Sequence, residues 1–210
     1  MGESPVAFCM QRLPELFREL KANAELRAGS GDKRVQARLA DVIAASVTLR
    51  LVFSGDEPGE VFVAMDHGEL RATHDKPDHP PLRYALSVST SAARHGLGFF
   101  SQRLLDDAAQ HDALPGFASA RADKLFNMYK FGFDLSVSAV PEVGDMLMRV
   151  ALGRDLPSVP EFTVRVAYPD LAAARVRGAG MQELVTAGKI SITGDMPKAM
   201  MLGMTLAQLR

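Results

Sequence analysis

The sequence predicts an α+β protein, built from an antiparallel or mixed sheet and from helices that occupy separate stretches of the chain. Two periodicities indicate this. Apolar residues recur every three or four positions in some segments, as in helices that face a core, and every second position in others, as in strands with one buried face. Segments of the two kinds are grouped along the chain, which disfavours a doubly wound parallel fold.

Two helices are predicted at the start of the chain. Residues 14–27 carry an apolar stripe that includes Leu16, Phe17 and Leu20, and the stretch AGSGDK then ends the pattern with two glycines. A second helix is predicted over residues 33–45, with Asp32 as its N-cap. Both helices precede the first predicted strand.

The pattern then changes to a period of two. The runs VTLRLVF, EVFVAMD and GELRATH alternate apolar and polar residues between turn-forming sequences, which predicts an antiparallel meander with one buried face. A polar, proline-rich loop, HDKPDHPP, leads to another alternating run, LRYALSVS. This run is either an additional strand or part of an insertion.

Residues 92–157 are predicted to form a helical insertion between the strands. Three segments within it have apolar residues at helical spacing: GLGFFSQRLLDDAAQ, ARADKLFNMYKFGFDL and PEVGDMLMRVALG. The third segment is bracketed by Pro141 and Pro157, and Pro141 suits a first helical position. No internal sequence repeat is evident.

The C-terminal part returns to strands and ends on a helix. A strand, FTVRVAY, is followed by a helix, PDLAAARVRG, a short helical piece, MQELVTAG, and a second strand, KISITG. The terminal helix begins at Asp195 and carries a stripe of flexible apolar residues that includes Met196, Ala199, Met200 and Met204. On periodicity alone, this stripe either closes an ordinary core or lines a site that adapts to ligands of variable shape.

Composition narrows the class of protein. The 24 Lys and Arg against 25 Asp and Glu, a net charge of -1, give no reason to expect a nucleic-acid partner. A single cysteine, Cys9, cannot form an intrachain disulfide, and no apolar run approaches the ~18 residues that would span a bilayer. A soluble, cytoplasmic protein is therefore expected.

Side chains that carry chemistry are few. His74 and His79 share a loop with two aspartates, but the prolines of that loop argue against a metal site. Cys9 does not lie in a nucleophile motif, and Asp106 and Asp107 point about 100° apart on a predicted helix. We therefore expect a protein that is not an enzyme, with no metal and no cofactor.

The order of C-terminal features resembles the sterol carrier protein type 2 family of lipid-binding domains. The resemblance rests on FTVRVAY, the Asp-initiated helix that ends at Gly178, and the closing pattern GKISITGDMPKAMML, over residues 161–206. It implies a sheet of about five strands covered on one side by helices, with an apolar cavity between the layers. The chain would then be a single domain over residues 1–210, with the insertion at 92–157.

The resemblance also implies a function, the binding or carriage of a fatty acyl, acyl-CoA, sterol-like or polyprenyl lipid without catalysis. Transient membrane contact is compatible with it. The residues implied as ligand-binding lie on two strands, a short helix and the terminal helix: Phe162, Val164, Leu184, Ile190, Met196, Ala199, Met200 and Met204. The alternatives are a structural or protein-interaction module whose cavity is filled by side chains, and an accessory factor in quinone or lipid biosynthesis.

The insertion departs from the compact family domain and is rich in aromatic residues, namely Phe99, Phe100, Phe117, Phe126, Tyr129, Phe131 and Phe133. We expect its helices to cover the cavity, to enlarge it, or to form the interface of a homodimer.

Overall fold

A computed structural model describes residues 3–104, 119–177 and 181–208 of the chain. The strands are β1 (Ser46–Ser54), β2 (Gly59–Asp66), β3 (Glu69–Thr73), β4 (Leu82–Ser89), β5 (Phe131–Val140), β6 (Gly144–Leu152), β7 (Phe162–Ala167) and β8 (Ile190–Gly194). The helices are α1 (Pro5–Ala7), α2 (Leu13–Gly29), α3 (Lys33–Ile43), α4 (Thr90–Leu104), α5 (Ala120–Met128), α6 (Tyr168–Arg177), α7 (Met181–Thr186) and α8 (Met196–Ala207), with a π-helical stretch, Phe8–Arg12, joining α1 to α2.

The described strands form one mixed sheet in the order β3-β2-β1-β4-β6-β5-β7-β8. The pairs β1–β4 and β5–β7 are parallel, and the remaining neighbours are antiparallel. The α+β class and the mixed sheet are confirmed. The sheet has eight strands where about five were expected.

The topology contains a repeat that the sequence does not display. In each half a helix leads into a strand, an antiparallel partner follows, a crossover places the next strand parallel to the first, and another helix begins directly after it. The first half uses α3, β1, β2, β4 and α4, and the second uses α5, β5, β6, β7 and α6. Because β4 pairs with β6, the two units lie side by side in one sheet.

The described helices pack on one face of this sheet. Strand residues that alternate toward them are apolar along every strand, from Val47 and Val61 in the first unit to Phe162 and Ile190 in the second, and they share clusters with buried helix residues such as Phe17. One-sided coverage agrees with the period of two, because alternate residues of a strand point to opposite faces of the sheet. We call this side the helix face.

Two crossover loops lie over the opposite, polar face. The loop before β4 accepts a hydrogen bond from the Thr48 hydroxyl at the Pro80 carbonyl, 2.7 Å away. The loop before β7 stacks Pro157 on Gly132, where an added Cβ would lie 2.6 Å from the proline ring. The two loops occupy equivalent places in the two units, and Gly132 leaves room for the second of them.

The helix caps agree with the sequence. The Asp32 carboxylate accepts hydrogen bonds from the backbone N–H groups of Arg34 and Val35 at the start of α3, and Asp195 accepts one from Lys198 at the start of α8. These bonds satisfy N–H groups that the helix itself leaves unpaired.

The run LRYALSVS is β4, a strand of the sheet.

The helical prediction for residues 92–157 is wrong in its second half. Residues Phe131–Val140 and Gly144–Leu152 are an antiparallel hairpin at the centre of the sheet, and α5 ends at Met128. The proline that was assigned to a helix start, Pro141, begins the turn of this hairpin, in which Glu142 and Gly144 have positive φ angles. Phe117, together with Asp106 and Asp107, lies outside the described residues.

Candidate functional site

The helix face is not evenly covered. On β2, its residues Val61, Val63 and Met65 are 0% exposed. Strand β6 occupies the equivalent place in the second unit, yet each of its four apolar residues on this face remains partly exposed. On the helix face, β2 is therefore covered, whereas β6 is open.

The opening continues across the neighbouring strands as a row of side chains. Met148 on β6 is paired with Leu135 on β5, Leu135 with Val164 on β7, and Val164 with Ile192 on β8. All four side chains are partly exposed. The row crosses three strand spacings of ~4.8 Å, which makes it about 14 Å long.

On β5 and β7, the residues on either side of this row are buried by helices. Phe162, stacked on Phe133 with ring centroids 5.1 Å apart, packs in one cluster with Ala199 and Leu202 of α8. Val166 on the other side packs with helix residues of α6 and α7. The open row thus lies between α8 and the α6–α7 pair. We call this row, together with the partly exposed residues beside it on β4 and β6, the trough. Its floor consists of Leu86, Leu135, Met146, Met148, Val150, Leu152, Val164 and Ile192.

Of the residues implied as ligand-binding, only Val164 lies on the floor of the trough. Phe162 and Ile190 are buried beside it, and Leu184 on α7 and Ala199 on α8 are buried in the helices that flank it. These four support the walls. They contribute little surface that a ligand would touch.

The three methionines of the terminal helix face away from the sheet. Met196, Met200 and Met204 are 45%, 64% and 62% exposed, whereas α8 packs inward through Ala199 and Leu202. The structure therefore does not place these methionines in the wall of a cavity. The reason is that α8 has two apolar stripes, and periodicity alone does not decide which of them faces the sheet.

Half of the floor lies on β6, for which the sequence predicts a helix. The run MLMRVAL has apolar residues at positions that fit both a helical spacing and a period of two. The signal for a strand was available in the preceding run FGFDLSVSAV, where Phe131, Phe133, Leu135 and Val137 alternate.

The end of α8 beside the trough is held by a carboxylate, Glu161. Its Oε1 accepts a hydrogen bond from the Lys198 ammonium at 2.6 Å and lies 3.4 Å from the Arg154 guanidinium, and its Oε2 accepts one from the backbone N–H of Gly132 at 3.0 Å. Burial alone would raise the pKa of Glu161, but these hydrogen bonds and cations together lower it below its usual value. Glu161 therefore joins β5, β7 and α8 while it is ionised.

The charged pair of the two central strands, Asp134 on β5 and Arg149 on β6, lies on the other side of the sheet. Asp134 is buried on the polar face and accepts two hydrogen bonds from Arg149, at 2.8 and 3.1 Å. Because Arg149 alternates with Met148 and Val150, its charge points away from the trough floor. The floor is apolar along its whole length.

A polar cluster at the beginning of β1 offers a weaker site. The Ser46 hydroxyl lies 2.9 Å from an Asp66 oxygen and 3.3 Å from His79 Nε2. In a catalytic triad the carboxylate orients the histidine, whereas here it binds the serine hydroxyl directly and stands 3.9 Å from the same histidine nitrogen. The arrangement does not activate a nucleophile.

Cys9, metal-ligating side chains and a surface recess are further candidates for chemistry. Burial raises the pKa of the Cys9 thiol to about 12, so the thiolate that would react is scarce. No group of three or more His, Cys, Asp or Glu in the described part of the chain could hold a metal ion. A recess of about 390 Å³ between α2 and β3 has charges of both signs, with lining residues Phe17, Arg18, Lys21, Ala22, Glu25, Gly68, Glu69, Leu70 and Arg71.

The fold and the trough define an α+β protein with an apolar site on a mixed sheet. No protein-family model matches the chain, and no curated protein matches it. Within the described residues, no helix is both long and apolar enough to cross a membrane. The likeness to sterol carrier domains thus rests on the sequence features described above.

Proposed function

We propose that the protein binds and carries a hydrophobic small molecule in the trough, without transforming it. The observation that carries the proposal is the open apolar row that starts on β6 and runs from Met148 through Leu135 and Val164 to Ile192, on a face where strand β2 is fully covered. A fatty acyl, acyl-CoA, sterol-like or polyprenyl lipid has the chemistry that this row would accept.

The energetics favour an elongated apolar ligand. Each CH₂ group that moves from water onto such a surface contributes about 0.8 kcal/mol, so a chain lying along the row gains affinity without directional contacts. Met146 and Met148 suit this role because methionine side chains adapt to ligands of different shapes.

Two features fix the walls on either side of the ligand. Phe162 and Ala199 hold α8 against β7 and β8, and Ile190 and Leu184 hold α7. The Glu161–Lys198 bond adds a polar anchor at the end of α8. A ligand in the trough would therefore meet a flexible floor between two fixed walls.

Native mass spectrometry of the protein purified without added ligand, followed by denaturing extraction, tests the proposal. We expect a co-purified lipid, whose mass gives its class and would also bear on a role in quinone or lipid biosynthesis. Repeated isolation of empty protein that also fails to take up a fluorescent fatty acid would overturn the proposal. That result would favour an interaction module in which another protein covers the trough.

A further inference from the structure

The outward face of α8 has an unusual composition for a helix exposed to water. Its exposed positions are Met196, Pro197, Met200, Gly203, Met204 and Leu206, and the single charged residue of the helix, Lys198, turns back to Glu161. By contrast, the exposed positions of α2 include Glu15, Arg18, Glu19 and Glu25. A solvated helix normally carries charges on its outer face.

The three methionines follow one another at every fourth residue, so they form a continuous stripe along the helix. The stripe lies opposite the side on which Ala199 and Leu202 pack. Helix α8 is therefore apolar on two faces, one of which is turned to the sheet and one of which is turned outward. Contiguous exposed apolar side chains of this kind differ from the single apolar residues scattered over an ordinary protein surface.

The size of the stripe limits what covers it. A helix of 12 residues is about 18 Å long and about 10 Å wide, which gives a footprint of about 180 Å². A stable protein interface needs about 800 Å² on each partner and usually has a polar rim that fixes its register. Helix α8 offers neither, whereas a lipid surface accepts a small apolar stripe without a matching partner.

We propose that the outward stripe of α8, Met196, Met200 and Met204, docks this protein reversibly on a lipid surface. The helix lies in the plane of the interface, with its thioether side chains among the acyl chains and Lys198 on the protein side. This docking needs no ligand in the trough. If the trough also carries a lipid, as proposed above, docking through α8 brings it to within about one helix diameter, ~10 Å, of the membrane.

The chemistry of the stripe predicts the lipid dependence. Since the outward face is uncharged and the chain has a net charge of -1, attraction to anionic head groups has no source on this face. Docking on vesicles of phosphatidylcholine should be as strong as docking on vesicles that contain phosphatidylserine. It should also be insensitive to salt, because screening weakens only charge-charge attraction.

The test is co-flotation of the full chain with phosphatidylcholine vesicles, compared between wild type and Met200→Gln/Met204→Gln. We expect the membrane partition coefficient of the double variant to be about tenfold lower than that of wild type, which corresponds to about 1.4 kcal/mol. Met128→Gln is the matched control, because Met128 is 68% exposed at the end of α5 and lies outside the stripe. It should float like wild type, and all three proteins should have the same urea midpoint.

Each other outcome overturns the docking proposal. It is wrong if wild type does not float, if the double variant floats equally well, or if Met128→Gln is equally impaired. Flotation that requires phosphatidylserine and disappears at high salt assigns docking to basic residues elsewhere. A dimer in native mass spectrometry that the double variant converts to a monomer assigns the stripe to a second copy of the chain. Uptake of a soluble fluorescent fatty acid is measured separately, so loss of the trough function is distinguishable from loss of docking.

Discussion

The exchange of one methyl group for a hydroxyl on the trough floor is the sharpest test of the ligand site. Val164 lies in the middle of the open row, between Leu135 and Ile192, and is partly exposed. Val164→Thr keeps the shape and the strand preference of the residue. In the empty protein, water hydrates the new hydroxyl, so we expect the free energy of unfolding to change by no more than the span of strand preferences, about 1 kcal/mol.

A bound chain would remove that water. A hydroxyl buried against an apolar ligand without a hydrogen-bond partner costs about 1–3 kcal/mol. Since 1.4 kcal/mol corresponds to a factor of ten, the dissociation constant should rise by about 5-fold to 150-fold. Titration with a naturally fluorescent polyene fatty acid measures it directly, with the urea midpoint of each protein as the folding check.

The adjacent residue provides the matched control. Thr163 alternates with Val164 and lies on the polar face of the same strand, so Thr163→Val makes the reverse exchange away from the trough. It should bind the probe like wild type. The trough is not the site if Val164→Thr binds the probe with wild-type affinity, or if both variants lose affinity equally.

Four further substitutions test the framework around the trough. Phe162→Ala removes a buried ring and should lower the free energy of unfolding by about 3–5 kcal/mol in urea titration. The pKa of Glu161 is lower in the folded chain than its ordinary value of 4.5. The stability that the ionised carboxylate contributes should therefore be complete above pH 4.5 and be lost as the pH falls through the lowered pKa. Glu161→Gln should flatten this acid limb in urea midpoints measured from pH 3 to 7, and an unchanged limb contradicts the assignment. Gly153→Ala should lower the free energy of unfolding by more than about 1 kcal/mol, because the φ of 73° is unfavourable for alanine and the new Cβ would lie 2.0 Å from the Phe126 carbonyl oxygen. Gly203→Ala should instead raise the free energy of unfolding by about 0.5–1 kcal/mol, because this position in α8 has open space for a Cβ.

The periphery of the fold followed from the sequence because local signals there agree with one another. Asp32 and Asp195 mark helix starts, and the meander of β1, β2 and β3 alternates cleanly between turns. In these segments capping, turn chemistry and periodicity all favour the same element. They were correctly predicted for that reason.

The centre of the sheet could not be predicted in the same way. Strand β6 is rich in apolar residues at consecutive positions, and a short run of this kind fits a buried helix as well as a strand. Pro141 fits a first helical turn as well as the hairpin turn that it begins. What decides the matter is pairing with β4 and β5, a contact between distant parts of the chain that no local pattern contains.

The two repeated units differ in the cover of the residues that face the helices. This difference favours the trough as a binding surface over a strand that merely lacks its cover. On β2 these residues are Val61, Val63 and Met65, which are fully covered with the help of Phe17 from α2. On β6 the equivalent places begin with Met146 and Met148, and the second unit has no counterpart of α2 among the described residues before α5. A strand that merely lacked its cover would gain by replacing exposed apolar side chains with polar ones, as Asp145 and Arg149 do beside the exposed Leu147 on the opposite face of β6. Strand β6 keeps flexible apolar residues instead, which suits a surface that is covered by a ligand of variable shape.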